Sequence, residues 1–407
     1  MTLNKRKIIN DPVYGFVTIP NDIVHDLINH PTFQRLRRIK QLGLTNLVYP
    51  GALHTRFHHA IGAMHLMTDA LQILKSKNIQ ITDEECDAAI IAILLHDIGH
   101  GPFSHALEHS IVKGVHHEDI SAMLMDELNK QFKGKLSLAI KIFKNQYTKK
   151  FLHQLVSSQL DMDRLDYLNR DSFFTGVSEG VVSNDRIIKM LNVKNGELVI
   201  EAKGIYSIEN FLIARRLMYW QVYLHKTVLS AEKLLVNILK RAKDLSLQGV
   251  ELFATPALSL FLRNNFTKKD FIKKPELLAQ FILLDDYDIM ASVKVWATHQ
   301  DVVLSTLCQN MLNRKLYKIE IQQKKFSQAY EQSIREKVMR KYKLDKQEVE
   351  YFVFSEAVNN SAYNTHSQIK ILQKDGSLID VAKASDQLNI KMLSKKVVKY
   401  FICYPKD

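Results

Sequence analysis

No apolar run in the sequence is long enough to cross a membrane: the longest, Ala88 to Leu95, has eight residues, against the roughly 20 that a spanning helix needs. A soluble protein with no membrane partner is expected. Cysteine is scarce as well. Cys86, Cys308 and Cys403 are too few and too scattered for a disulfide framework. The opening MTLNKRKIIND has no apolar stretch behind its basic residues, so no secretory signal is expected. Both absences point to a reducing cytoplasm. Internal repeats, low-complexity tracts and Gly/Ser linkers are also lacking. Acidic residues are in deficit: 43 Asp and Glu face 56 Lys and Arg, for a net charge of +13. That excess suits an anionic partner such as a nucleotide, a nucleic acid or a phosphorylated metabolite. A merely basic surface would give the same total.

What is present is helical periodicity. Apolar residues recur at three- and four-residue steps through Phe57 to Leu74, Ala88 to Leu95, Phe211 to Leu239 and Phe326 to Met339. Strand patterns are few: YGFVTIP near the start, then YFVFSEAV, SQIKILQKDGSLIDV and VVKYFICYP toward the end, with Asp375-Gly376 as a hairpin turn. The pattern predicts a mainly α protein, with a helical core over residues 1–320 and a small α+β segment over residues 321–407. The charged stretch IEIQQKKFSQAYEQSIREKVMRKYK is expected to lead that segment as a helix. A chain of 407 residues is long enough for both parts, which are expected to pack together.

Chemistry concentrates in HDIGHGPFSH, residues 96–105. The preceding TDEECDAAIIAILL opens with Thr82 and Glu85 at capping-box spacing and runs apolar on every face; Gly99 and Gly101 close it. His96 and Asp97 therefore sit at the last turn of a buried helix, where the negative end of the helix dipole favours a cation. A buried His beside a buried Asp is unfavourable unless a metal or hydrogen bonds satisfy both. Adjacent side chains diverge by about 100° on a helix, so a shared ion requires the irregular last turn. Help is available elsewhere in the chain. His59 lies on a face continued by Gly62, Ala63, Leu66 and Ala70, small and apolar residues that let another helix approach. In VSSQLDMDRLDYLNRD, Asp163, Tyr167 and Asp171 share one face. His59, His96, Asp97 and Asp163 together make two imidazoles and two carboxylates. Such a set suits Mg²⁺ or a divalent first-row ion and leaves positions for water and substrate. Each alone would be an ordinary packed histidine or a surface carboxylate. Asp161 and Asp166 are read in that ordinary way, Asp166 pairing with Arg170 at i+4.

In this company the residues resemble the HD-domain phosphohydrolases, and among them the deoxynucleoside triphosphate triphosphohydrolase branch. The similarity spans about residues 10–320 through an ordered series: NDPVYGFVTI, FQRLRRIKQLG, VYPGALHTRFHHAIG, HDIGHGPFSH, HHED, LDMDRLDYLNRD, YLHK and NRKLYK. It implies an HD-domain helical fold and hydrolysis of dNTPs to deoxynucleoside and tripolyphosphate. It also implies His59, His96, Asp97 and Asp163 as metal ligands, in agreement with the spacing argument. The ion is open among Mn²⁺, Mg²⁺, Fe²⁺, Co²⁺, Ni²⁺ and Zn²⁺, since ligand type narrows but does not choose.

A triphosphate brings about four negative charges that a pocket must neutralise. Arg56, Arg164 and the stripe Arg215, Tyr219, Tyr223, Lys226 along ARRLMYWQVYLHK form the candidate clamp. The resemblance assigns Arg56, Arg164, Arg215 and Lys226 to the phosphates; Arg216, off the stripe, is read as solvated. His105, Glu108 and His117 are groups able to transfer protons. The resemblance puts His105 on the α-phosphate and makes His117 a catalytic histidine near a carboxylate, usually Asp and here Glu108. It sets the Tyr167 ring against C2′, leaving no room for a 2′-hydroxyl. Asp171 and Gln41 would hold the 3′-hydroxyl and Leu42 the base, with Tyr223 and His225 near the pocket wall. His65, His109 and His116 are left as surface or packing residues.

The resemblance further implies a nucleotide activator, because Arg37, Arg314 and Lys318 match positions that contact one. Asn29 stands where the mammalian branch has the Asp that reads the activator's guanine. No SAM domain is expected ahead of the HD region, and a homo-oligomer is expected because the branch is usually dimeric or larger. Two other readings compete. One is an HD-domain phosphohydrolase acting on a guanosine alarmone or an RNA end, against which the DRLDY and YLHK blocks speak. The other is a basic nucleic-acid or nucleotide-binding regulator with a structural metal, whose mark would be a broken ligand set. Weak single-stranded nucleic acid binding by the +13 surface is compatible with catalysis.

Overall fold

Long helices form over the stretches of apolar periodicity, and one of them, Arg56–Ser76, packs on the helix that ends at the HD segment. The computed structural model describes residues 7–103, 110, 112, 114–360, 363–364, 367–385 and 397–406. His105, Glu108 and His109 lie outside the described residues. Four helices frame the site: α1 (Arg56–Ser76), α2 (Asp83–Leu95), α3 (His117–Gln131) and α4 (Met162–Thr175). Every residue from Ala88 to Leu95 is buried, each Leu or Ile contributing about 1.5–3 kcal/mol. The expected capping box starts α2: the Glu85 N–H donates to Thr82 Oγ1 at 3.1 Å and the Thr82 N–H donates to Glu85 Oε2 at 2.8 Å. The helix stops at Leu95, so His96 and Asp97 occupy the turn that follows it.

Close approach is built from glycine. Helix α4 packs along α1, and a Cβ on Gly62 would fall 2.0 Å from Asp166 Oδ1 and 2.1 Å from Arg170 Nη2. Only a missing side chain leaves room there for a buried ion pair. Gly99 does the same for the loop after α2. A Cβ at Gly99 would meet the His117 carbonyl oxygen at 2.3 Å, and its N–H donates to Ser121 Oγ at 2.9 Å. The loop is thereby seated on the first turns of α3.

The other helices of eleven or more described residues are α5 (Ile205–Met218), α6 (Lys226–Leu247), α7 (Asp286–Trp296), α8 (Val302–Leu312) and α9 (Gln328–Tyr342). The periodicity predicts one long helix through Phe211 to Leu239, but the structure breaks it. A wide turn of π-helix spans Tyr219–Tyr223. His225 then turns extended and caps α6, its Nδ1 accepting from the Thr227 N–H at 3.2 Å. That local side-chain cap offers the backbone an alternative to helix.

Small sheets complete the described chain. Strands β1 (Ile8–Asp11) and β2 (Gly15–Thr18) form a hairpin, the second being the expected YGFVTIP strand. Strands β3 (Leu191–Lys194) and β4 (Glu197–Glu201) form another around Asn195-Gly196. Asn-Gly is a strong hairpin signal that went unnamed among the strand patterns of the sequence. Strand β5 (Lys318–Gln322) takes the residues assigned to the head of the charged helix. Its alternating Ile319 and Ile321 have strand rather than helix period, and α9 begins only at Gln328. The expected C-terminal strands form as β6 (Phe354–Asn360), β7 (Lys370–Leu372), β8 (Leu378–Asp380) and β9 (Val397–Tyr404). Sheet order is β5-β9-β6, all antiparallel, and β3-β4-β7-β8, with β4 and β7 parallel. Among the described residues no helix is long and apolar enough to cross a membrane.

Candidate metal centre and substrate pocket

Four side chains from three elements converge beside the turn after α2. His59 Nε2, from α1, lies 3.4 Å from His96 Nε2, 3.2 Å from Asp163 Oδ1 and 3.9 Å from Asp97 Oδ2. His96 Nε2 lies 3.4 Å from Asp97 Oδ1 and 3.5 Å from Asp163 Oδ1. Ligand atoms held about 2.1 Å from one ion are themselves roughly 3–3.5 Å apart, so His59, His96 and Asp163 fit one divalent cation, while Asp97 approaches His96 and His59 but falls outside the set of donor atoms lying within 4.8 Å of one another. Helix α4 presents Asp163 at its first turn, and the irregular turn after α2 lets neighbours His96 and Asp97 face one point.

Both imidazoles are locked in the tautomer that a ligand needs. His59 Nδ1 donates to Asp166 Oδ2 at 2.7 Å, and His96 Nδ1 donates to the Ile93 carbonyl at 2.6 Å. Each therefore turns a bare Nε2 lone pair toward the centre. Charge balance tells the same story. Burial opposes protonating His59, but the hydrogen bonds it donates to Asp163 and Asp166 outweigh it and push it up to about 10. His96 is likewise raised: burial opposes, and Asp97 and Asp163 prevail. Burial alone would raise Asp163 and Asp97, yet the surrounding imidazoles hold both well below the usual carboxylate range. Two carboxylates that draw protons onto two imidazoles would draw a divalent cation in their place.

Asp166 is therefore not the surface carboxylate that spacing alone suggested. It does pair with Arg170, at 2.9 Å, but both are fully buried, and Arg170 also reaches Asp11 at 2.8 Å. A chain of Asp11, Arg170, Asp166 and His59 thus links the N-terminal hairpin to the centre. Asp161, also buried, caps α4 by accepting from the Arg164 N–H at 2.7 Å. Burial pushes Asp161 up to about 6 although Arg164 pulls it down.

A second cluster abuts the first. His100 Nε2 lies 3.3 Å from Asp97 Oδ1, and its ring stacks on His117 at 3.8 Å. Asp97, His100 and His117 also have donor atoms within 4.8 Å of one another. Burial, with Arg56 nearby, pushes His100 down to about 3, so it stays neutral. His117 thus belongs to this cluster, and His100, given no role from the sequence, joins it. Its i+3 spacing from Asp97 was the available signal.

The expected substrate residues separate into two groups. Gln41, Leu42, Arg56, Tyr219 and Tyr223 line a cavity of about 390 Å³. Arg56 Nη1 donates to Asp97 Oδ2 at 2.6 Å, which puts the cavity against the centre. Tyr167 packs edge-on to Tyr223 at 6.1 Å, and the Tyr223 hydroxyl donates to Asp171 Oδ2 at 2.7 Å. Asp171 Oδ1 meets buried His54 Nε2 at 2.8 Å, a partner that sequence reasoning missed. Arg164 pairs with Asp161 and stands 3.8 Å from Asp163. Gln41 Oε1, Arg164 Nε and the Nε and Nη1 of Arg215 are buried and, among the described residues, without hydrogen-bond partners. Each such group costs about 1–3 kcal/mol unless something binds it. The unpaired guanidinium nitrogens, in particular, suit an anion.

The second group stands apart. Lys226 is exposed at the first position of α6, because the π turn and the His225 cap rotate it off the predicted stripe. His225 faces the Tyr49 ring at 6.0 Å. The three activator positions are exposed and engaged locally: Arg37 over the Phe57 ring, Arg314 on the Leu47 carbonyl at 2.9 Å, and Lys318 on Glu320 at 2.8 Å.

Comparison with known proteins follows the same lines. The sequence matches the HD domain over residues 56–171, a span holding all four converging donors, and the HD associated region over residues 182–274. It is 31% identical to the uncharacterized protein YwfO of Bacillus subtilis, over 100% of this chain and 93% of that one. It is 29% identical to the human deoxynucleoside triphosphate triphosphohydrolase SAMHD1, over 58% of this chain and 45% of that one. The crystal structure of a phosphohydrolase from Bacteroides thetaiotaomicron superposes with a TM-score of 0.96 at 54% identity, covering 99% of this chain and 100% of that one.

Proposed function

Because the chain belongs to the HD-domain phosphohydrolases, we propose that it is a metal-dependent hydrolase that cuts deoxynucleoside triphosphates into deoxynucleoside and tripolyphosphate. One observation carries this reading: the converging donors of His59, His96 and Asp163, with Asp97 beside them, and buried arginine nitrogens unpaired among the described residues meet around Tyr167 and Asp171. The deoxynucleoside triphosphate triphosphohydrolase activity for which the SAMHD1 relatives are named supports it. Residues 1–320 form the catalytic unit in this reading and 321–407 its appendage.

Each side chain then has a task. A bound divalent ion, held by His59, His96, Asp97 and Asp163, would supply positive charge at the scissile phosphate and acidify water. Arg164 and Arg215 neutralise phosphate oxygens. Asp171, oriented on both sides by His54 and Tyr223, accepts a hydrogen bond from the 3′-hydroxyl. Tyr167 fills the space beside C2′, so a ribose would have to bury its 2′-hydroxyl without a partner. A water oxygen bonds to the α-phosphorus as the bond from phosphorus to O5′ breaks. O5′ takes a proton, and tripolyphosphate leaves. His117, with His105 and Glu108, handles the protons. The activator reading of Arg37, Arg314 and Lys318 requires a nucleotide to displace the local contacts described above.

Incubating the protein with Mn²⁺ and each dNTP and rNTP, singly and mixed, tests the reading. Deoxynucleoside and tripolyphosphate should form from dNTPs alone, and Asp97→Ala should abolish turnover while the fold persists. Turnover of rNTPs at equal rates would remove Tyr167 from its role. No turnover in any mixture would favour an alarmone, RNA-end or nucleic-acid substrate.

A further inference from the structure

The cavity beside the metal centre has one wall that no phosphate can use. Glu232 of α6 lines it, half-buried, together with Lys233 and with Glu356 of β6. Lys233 and Glu356 pair with each other, so that pair is internally neutralised. Glu232 has no hydrogen bond or ion pair among the described residues. Burial pushes its carboxyl up to about 7, with Lys233 pulling the other way. A carboxyl group on the cavity wall with no protein donor is free to accept from a ligand that supplies one. A polyphosphate would only repel it. The anion-seeking nitrogens belong to Arg164 and Arg215, which act electrostatically on Tyr167 beside Asp163. The Glu232 wall is therefore left for the uncharged end of the ligand, where Leu42 of the same cavity offers an apolar face.

We propose that Glu232 reads the nucleobase, favouring guanine and rejecting thymine. Guanine presents N1–H and N2–H side by side, a donor pair that a carboxylate accepts in parallel. Thymine presents carbonyl oxygens on either side of its single N–H, and these face the carboxylate acceptor to acceptor. The inference rests on reading the cavity as a deoxynucleotide site and adds its base preference.

The test measures kcat/KM for the four dNTPs, and calorimetric binding of the four deoxynucleosides, on wild type, Glu232→Gln and Glu232→Leu. Thermal midpoints serve as the folding check. Wild type should favour guanine over thymine at least tenfold in both measurements. Both variants should bring the ratio within about threefold, with the loss falling on guanine. A preference unchanged in folded variants, or a wild type indifferent to the base, overturns the proposal. Guanine-selective deoxynucleoside binding without triphosphate turnover would sustain the role of Glu232 and overturn the hydrolytic reading instead.

Discussion

Replacing Asp166 by Asn removes one charge and almost no volume from the interior, which separates what this carboxylate does for the fold from what it does for the metal centre. Its two oxygens accept three hydrogen bonds: His59 Nδ1 at 2.7 Å, Arg170 Nε at 2.9 Å and Arg170 Nη2 at 2.9 Å. Each bond to a charged group contributes about 1.5–3 kcal/mol. Removing one partner of a buried ion pair costs about 3–5 kcal/mol. Arg170 keeps Asp11 at 2.8 Å, so a loss of about 2–4 kcal/mol is expected in urea unfolding with chelator present. The effect on the metal follows from a proton. The Asn amide can turn its NH₂ toward His59, which then accepts at Nδ1 and carries its proton on Nε2, the atom that must bind the ion. Loss of such an outer partner weakens metal affinity by about 10- to 100-fold, or roughly 1.4–2.7 kcal/mol. Calorimetric Mn²⁺ titration reads that number directly. A folded Asp166→Asn protein that binds Mn²⁺ within twofold of wild type would refute the argument, whatever its stability.

Arg215→Met should behave in the opposite sense to most core substitutions. It removes two buried unpaired nitrogens, so the thermal midpoint should hold or rise while affinity for tripolyphosphate falls at least tenfold; a lower midpoint with unchanged affinity would show the guanidinium to be structural. For Glu85, burial opposes ionisation, but Lys149, Tyr147 and the Thr82 N–H outweigh it and lower its pKa. A depressed carboxylate contributes stability above its unfolded value of about 4.3 and loses it as pH falls through the folded one. Glu85→Gln should therefore cost about 1–2 kcal/mol at pH 7, and the gap from wild type should close between about pH 5 and pH 3. A gap constant with pH would remove the charge from the argument.

Local signals were legible where they were periodic or chemically unusual. Thr82 and Glu85 predict the start of α2, and the apolar run to Leu95 predicts its burial. The spacing around His59 and Asp163 predicts two faces that the fold brings together. The breaks were harder. A single imidazole in His225 ends one helix and caps the next, and nothing in the apolar period registers a cap. The Asn195-Gly196 hairpin was visible as a dipeptide, but its short flanking strands lay inside a span read as helical core and were given no element of their own.

The residues that were misread or passed over share a cause. Asp166, His54 and Asp11 act through partners 107, 117 and 159 positions away, and sequence spacing reports only neighbours within a turn or two. Asp166 illustrates the point: its i+4 partner Arg170 was legible, and that pairing disguised it as a surface ion pair. Only Gly62 hinted otherwise. A glycine inside a helix loses about 1 kcal/mol against Ala, so its presence on the face that also bears His59 marks something large passing close by. In the structure that something is the Asp166–Arg170 pair itself. A small residue one turn from a candidate ligand is thus evidence about the ligand's outer partners, and it can be read before any coordinates exist.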